Sequence, residues 1–133
     1  MKKVEHIGIA VKDLEASNLL FEKLLGGAPY KTEEVASEGV LTSFFKNESS
    51  KIELLAATNP DSPIAKFIAK NGEGIHHIAF EVADIEAEII RLKNEGFVFV
   101  DDLPKKGADN KRIVFLHPKT TNGVLIELCQ EIK

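Results

Sequence analysis

The chain has 133 residues, a length that predicts one compact domain or two very small units sharing a core. Hydrophobic residues make up 44% and charged residues 29% of it, which excludes a disordered chain. Lys and Arg number 17 against 21 Asp and Glu, a net charge of −4 without the basic footprint of a nucleic-acid binder, and the single cysteine, Cys129, excludes an internal disulfide and a thiolate-built zinc finger.

The first residues, Met1-Lys2-Lys3-Val4-Glu5-His6, lack the apolar run of a signal peptide. No apolar stretch approaches the roughly 18 residues of a membrane span, so a cytoplasmic protein with no membrane partner is expected. Val4–Val11 is short, apolar and β-branched, and reads as a strand. Asp13 then caps a helix carrying Leu14, Leu19, Leu20, Leu24 and Leu25, ended by Gly26-Gly27. Three strands follow, around Pro29–Val35, Val40–Lys46 and Lys51–Ala57. Asn59-Pro60-Asp61-Ser62-Pro63 opens a short helix through Ile64, Phe67 and Ile68, closed by Asn71-Gly72. Pro63 falls in its first turn, where the missing N–H costs nothing. The pattern then restarts with a strand over Ile75–Val82, a helix over Asp84–Glu95 stopped by Gly96, and strands near Phe97–Asp101, Lys111–Leu116 and Gly123–Gln130.

The restart is a repeat of sequence as well as of pattern. Val4-Glu5-His6-Ile7-Gly8-Ile9-Ala10-Val11-Lys12-Asp13-Leu14-Glu15-Ala16 matches Ile75-His76-His77-Ile78-Ala79-Phe80-Glu81-Val82-Ala83-Asp84-Ile85-Glu86-Ala87. Lys51-Ile52-Glu53-Leu54-Leu55 matches Leu125-Ile126-Glu127-Leu128-Cys129, and between them Ser43-Phe44-Phe45 lines up with Ile113-Val114-Phe115. Two βαβββ modules are read, over residues 1–58 and 74–133, joined by a linker helix in 59–73.

Strand alternation assigns the faces. His6, Gly8 and Ala10 share one side of the first strand and Ile7, Ile9 and Val11 the other, which must pack on the helix. In the second copy His77, Ala79 and Glu81 oppose Ile78, Phe80 and Val82. Glu53 lies between Ile52 and Leu54, and Glu127 between Ile126 and Leu128, so both project away from the core side. Each module thus aims one imidazole and one carboxylate at the same kind of surface, otherwise lined by small residues. A buried carboxylate needs a partner, and a cation is the natural one. His6, Glu53, His77 and Glu127 are therefore read as a divalent-metal site.

The repeat also chooses between adjacent histidines. His77 aligns with His6, whereas His76 aligns with Glu5 and reads as structural or supporting. His117, in Leu116-His117-Pro118-Lys119, reads as a turn residue, and Cys129 as a small apolar filler. Phe44, Phe45, Phe80 and Phe115 are expected in the core.

Nitrogen and oxygen ligands without thiolate suit Co²⁺, Mn²⁺, Ni²⁺, Zn²⁺ or Fe²⁺. Such an ion, with open positions for two neighbouring substrate oxygens, polarises a carbonyl and stabilises the enolate left when an α proton departs. A nearby carboxylate can take that proton. The expected chemistry is proton transfer α to a carbonyl, or addition to a chelated substrate.

The doubled module with its His/Glu, His/Glu set resembles the vicinal oxygen chelate superfamily. Further stretches narrow the resemblance to the methylmalonyl-CoA epimerase family: Asp61-Ser62-Pro63-Ile64-Ala65-Lys66-Phe67, Gly74-Ile75-His76-His77, and Phe115-Leu116-His117-Pro118-Lys119 with Gly123-Val124-Leu125-Ile126-Glu127-Leu128. The resemblance implies an α+β fold in which one domain over residues 1–133 curves a mixed β-sheet around a metal cleft, with helices outside. It implies cobalt at His6, Glu53, His77 and Glu127, and an acyl-CoA substrate chelated through its thioester and carboxylate oxygens. Proton removal at C2 through an enediolate then interconverts (R)- and (S)-methylmalonyl-CoA, with Glu127 as acid/base. Some members carry a further Glu where this chain has Thr42, which cannot act as a carboxylate base, and Glu53 is one candidate for that part. A homodimer is implied. Lys105, Lys106, Lys111, Arg112 and Lys119 are candidates for the CoA phosphates. The alternatives are a glyoxalase I-type lactoylglutathione lyase and a metal-free small-molecule binding protein of the same fold. An extradiol dioxygenase, needing only two His and one Glu, fits the four-residue set less well.

Overall fold

Asp13 and Asp84 start two helices by the same device. Each is extended, and its carboxylate accepts a hydrogen bond from the backbone N–H three residues on, Asp13 from Ala16 and Asp84 from Ala87, both at 3.1 Å. They open helices α1 (Leu14–Leu25) and α3 (Ile85–Asn94). Gly26, at φ 82°, ends α1 in the left-handed conformation that favours glycine. The linker helix α2 (Pro63–Asn71) starts at Ser62, whose Oγ accepts from Ala65 N–H, with Pro63 in the first turn.

The computed structural model describes residues 1–101 and 103–133. Its strands are β1 (Lys3–Ala10), β2 (Lys31–Val35), β3 (Val40–Asn47), β4 (Ser50–Ala57), β5 (Gly74–Glu81), β6 (Lys105–Lys106), β7 (Lys111–Leu116) and β8 (Ile126–Glu131). Packing divides the chain into two units, His6–His76 and a second made of Met1–Glu5 with His77–Lys133.

In the unit His6–His76 the strands run β2-β3-β4-β1, with β1 parallel to β4 and the other pairs antiparallel. One face carries Ile9, Val11, Phe45, Leu54 and Ala56, packed on Leu14, Phe21 and Leu25 of α1. Across the sheet, Ala10 and Leu55 pack with Ile64, Phe67 and Ile68 of α2. The isoleucine and valine side of β1 does meet α1, as alternation requires. The leucines of α1 divide, however. Leu14 and Leu25 turn inward, while Leu19, Leu20 and Leu24 are 57%, 62% and 70% exposed and Phe21 takes the inner position between them. Gly39 shows why the α2 start lies where it does. Its φ is +62°, and a Cβ there would stand 2.7 Å from the Cβ of Ser62, so a side chain at this position would collide with the residue that caps α2.

In the second unit the order is β5-β8-β7-β6, with β5 parallel to β8 and the rest antiparallel. α3 buries Ile85, Ile89 and Leu92 against Val82, Phe99, Val114, Leu116 and Leu128. Ala79, Ile113 and Cys129 occupy the other face. Lys2 N–H donates to Glu81 O at 2.9 Å, holding the start of the chain to the end of β5.

Three expectations are corrected here. No strand forms over Phe97–Asp101. Only Phe99 makes an isolated bridge, to Leu116, and the edge strand is β6 at Lys105–Lys106. Gly123–Leu125 does not belong to β8, because Asn122 (φ 57°) and Gly123 (φ 83°) turn the chain before Ile126. The third correction is of register. The sequence repeat lines Phe45 up with Phe115, but Phe44 is the residue opposite Glu53, as Phe115 is opposite Glu127. A slip of one residue exchanges the faces of a strand, so Phe45 packs on α1 instead.

Candidate active site

In the unit His6–His76, β1 and β4 lie parallel with Gly8 beside Glu53. Glycine leaves no side chain between His6 and Glu53. His6 Nδ1 stands 3.1 Å from Glu53 Oε2, and both residues are 5% exposed. The second unit repeats the arrangement with Ala79 beside Glu127, another small residue at the equivalent place. There His77 Nε2 lies 3.2 Å from Glu127 Oε1, and both are again 5% exposed.

Each pair offers a nitrogen and an oxygen donor from side chains that burial has stripped of water. Carboxylates held this far from solvent need a positive partner or hydrogen-bond donors. An imidazole and a carboxylate, the pair each unit presents, are donors of the kind that suit a divalent first-row ion, with no soft sulfur ligand. Cys129 shares this side of its sheet but is fully buried in the apolar cluster with Ala79 and Ile113, and its thiol points to Phe80 O at 3.5 Å. It is filler.

His76 packs edge-on to the ring of Phe67, with centroids 4.9 Å apart. His117 terminates β7, and its Nδ1 accepts from Lys119 N–H at 3.0 Å to start a 3-10 turn. Thr42 is 1% exposed and paired in register with Leu55 and Glu33, so that position holds a buried hydroxyl and no carboxylate. Among the CoA-phosphate candidates, Lys105 and Lys106 are exposed on the edge strand, Arg112 is tied to Glu86, and Lys111 is buried.

Two features escaped the sequence reading. Glu5 is buried at 4% exposure although strand alternation sets it apart from His6. Phe115 is only partly buried and touches His77, with ring centroids 5.7 Å apart and planes at 88°. The signal for the second was the repeat itself, misread by one residue.

Comparison with known proteins agrees with this architecture. Residues 5–115 match the model of the glyoxalase/bleomycin resistance protein/dioxygenase superfamily. The ethylmalonyl-CoA/methylmalonyl-CoA epimerase of Cereibacter sphaeroides is 43% identical over 96% of this chain and 97% of its own. The mitochondrial methylmalonyl-CoA epimerase of Dictyostelium discoideum is 42% identical over 95% of this chain and 76% of its own. Among solved structures, the Streptomyces coelicolor methylmalonyl-CoA epimerase bound to 2-nitronate-propionyl-CoA superposes with a TM-score of 0.92 at 37% identity, covering 98% of this chain and 95% of that one. The chain belongs to the glyoxalase, or vicinal oxygen chelate, superfamily. Within it, its similarity over nearly the full length is to the methylmalonyl-CoA epimerases.

Proposed function

We propose that this protein is a metal-dependent epimerase that interconverts (R)- and (S)-methylmalonyl-CoA. His6, Glu53, His77 and Glu127 hold one divalent ion, cobalt before manganese, nickel or zinc. The observation that carries the reading is the duplicated His–carboxylate pair, at 3.1 Å and 3.2 Å, buried beside a small residue in each unit. Chance does not readily bury the same two polar residues twice at equivalent positions. The substrate class is supported by the relatives, one named for methylmalonyl-CoA alone and another for the ethyl and methyl compounds together.

A divalent ion there would supply a Lewis acid that lowers the cost of negative charge on the substrate's thioester and carboxylate oxygens. The chain's own groups handle the proton. Glu127 takes it from C2, and Glu53, protonated from solvent before the step, returns one from the other side, the two exchanging roles in the reverse direction. Return on the opposite face inverts the centre, and return on the same face is silent. Burial of both carboxylates keeps water from competing for the carbanion. We assign the working state to a homodimer on the family resemblance. A sedimentation mass near twice 14.6 kDa supports that, and a mass of 14.6 kDa overturns it.

The deciding experiment incubates metal-loaded protein with one epimer of methylmalonyl-CoA in D₂O. Deuterium at C2 and loss of optical purity are expected, and both stop when a chelator removes the ion. Turnover of the methylglyoxal–glutathione adduct with no exchange at C2 of methylmalonyl-CoA overturns the reading in favour of a lactoylglutathione lyase.

A further inference from the structure

The two units treat equivalent phenylalanines differently. Phe44 stands opposite Glu53 and Phe115 opposite Glu127. Phe44 is sealed at 0% exposure, with the Tyr30 ring 6.0 Å away and Lys31 Nζ 4.7 Å from its own ring centre. Among the described residues Phe115 has no such cover, and it stays partly open. The surface it rests on is closed. Ala79 and Cys129 are fully buried and Ile113 is 9% exposed. Gly107 lies so close over Ile113 that a Cβ there would be 2.7 Å from the isoleucine Cδ1. The open apolar group beside Glu127 and His77 is therefore the Phe115 ring, held upright by an edge contact with the imidazole.

An alkyl group bonded to the carbon whose proton a carboxylate removes must lie beside that carboxylate. It is apolar, and apolar surface is what Phe115 presents next to Glu127. We propose that Phe115 is a specificity-determining residue: its ring packs on the C2 substituent of a 2-alkylmalonyl thioester and limits that substituent's length. The inference rests on the epimerase reading and extends it from the reacting carbon to the group attached there. Phe44 serves as the internal control, since the equivalent position in the other unit is covered and has no free surface to offer.

The test compares kcat/KM for deuterium exchange at C2 of ethylmalonyl-CoA and of methylmalonyl-CoA. The unaltered protein, Phe115→Leu, Phe115→Ala and Phe44→Leu are measured, each with its bound metal quantified. The ethyl-to-methyl ratio is expected to rise about tenfold in Phe115→Ala, the scale on which a pocket reads one methylene, and by less in Phe115→Leu. The ratio should not move in Phe44→Leu, and metal content should match the unaltered protein in the Phe115 variants. Should Phe115→Ala not fold, Phe115→Leu alone decides. A parallel fall for both substrates with no change in ratio marks a purely structural role and overturns the inference while leaving the epimerase reading standing. Absence of exchange on either substrate by the unaltered protein overturns both.

Discussion

Two histidines stand side by side at positions 76 and 77, and a strand can send only one of them to each face. His77 is buried 3.2 Å from Glu127, whereas His76 lies edge-on against Phe67. His77→Ala is therefore expected to lose the bound ion, and His76→Ala to keep it, as read by metal analysis after dialysis. The reverse outcome would sink the assignment. Glu127→Gln keeps the shape of the side chain but removes its basicity. It should slow C2 exchange by roughly 100-fold or more, the usual worth of a positioned acid or base. These residues were legible in the sequence because the chain could be compared with itself. The environment of Phe115 was not, since nothing local records which of two phenylalanines is covered.

At the scale of elements, the helix starts were fully legible. Asp13 and Asp84 carry the signal in a single residue, and the cap hydrogen bond reaches only three positions along the chain. Asp84→Ala is expected to cost about 1 kcal/mol of stability by denaturant unfolding, with the slope of the transition unchanged. On the same helix Arg91 donates two hydrogen bonds to Glu88, at 3.1 and 2.9 Å, and holds its carboxyl below the ordinary value of 4.5. A lowered pKa stabilises the folded state above the unfolded value, and that stability is lost as pH falls through the folded one. Glu88→Gln should thus lower the melting temperature slightly at pH 7, and the difference should close in acid below pH 4.5. Strand ends were less legible. Phe97–Asp101 has the composition of a strand, but it makes only the isolated bridge of Phe99 to Leu116, and the two-residue edge strand forms instead at Lys105–Lys106. Lysines on such an edge also discourage pairing with another chain.

For the molecule as a whole, each unit is near the size at which a domain buries too little surface to be secure alone. The boundary between the units falls within β1, not in a linker. Heating is expected to give one cooperative transition, with calorimetric and van't Hoff enthalpies equal. Two separated transitions would show independent modules. If the ion binds the folded chain alone, saturating it at about 100 times its dissociation constant should add about 2.7 kcal/mol of stability, removed again by a chelator.

The sequence by itself determined the doubled βαβββ order, the helix starts and the pairing of one histidine with one glutamate in each half. Each of these is written in local periodicity or in the likeness of one half of the chain to the other. Tertiary structure decided which phenylalanine stands beside each carboxylate, which one keeps an open ring, and where the edge strand forms. Those outcomes depend on pairing register, and register is set by long-range packing on both faces of a sheet, where a shift of one residue exchanges every side chain.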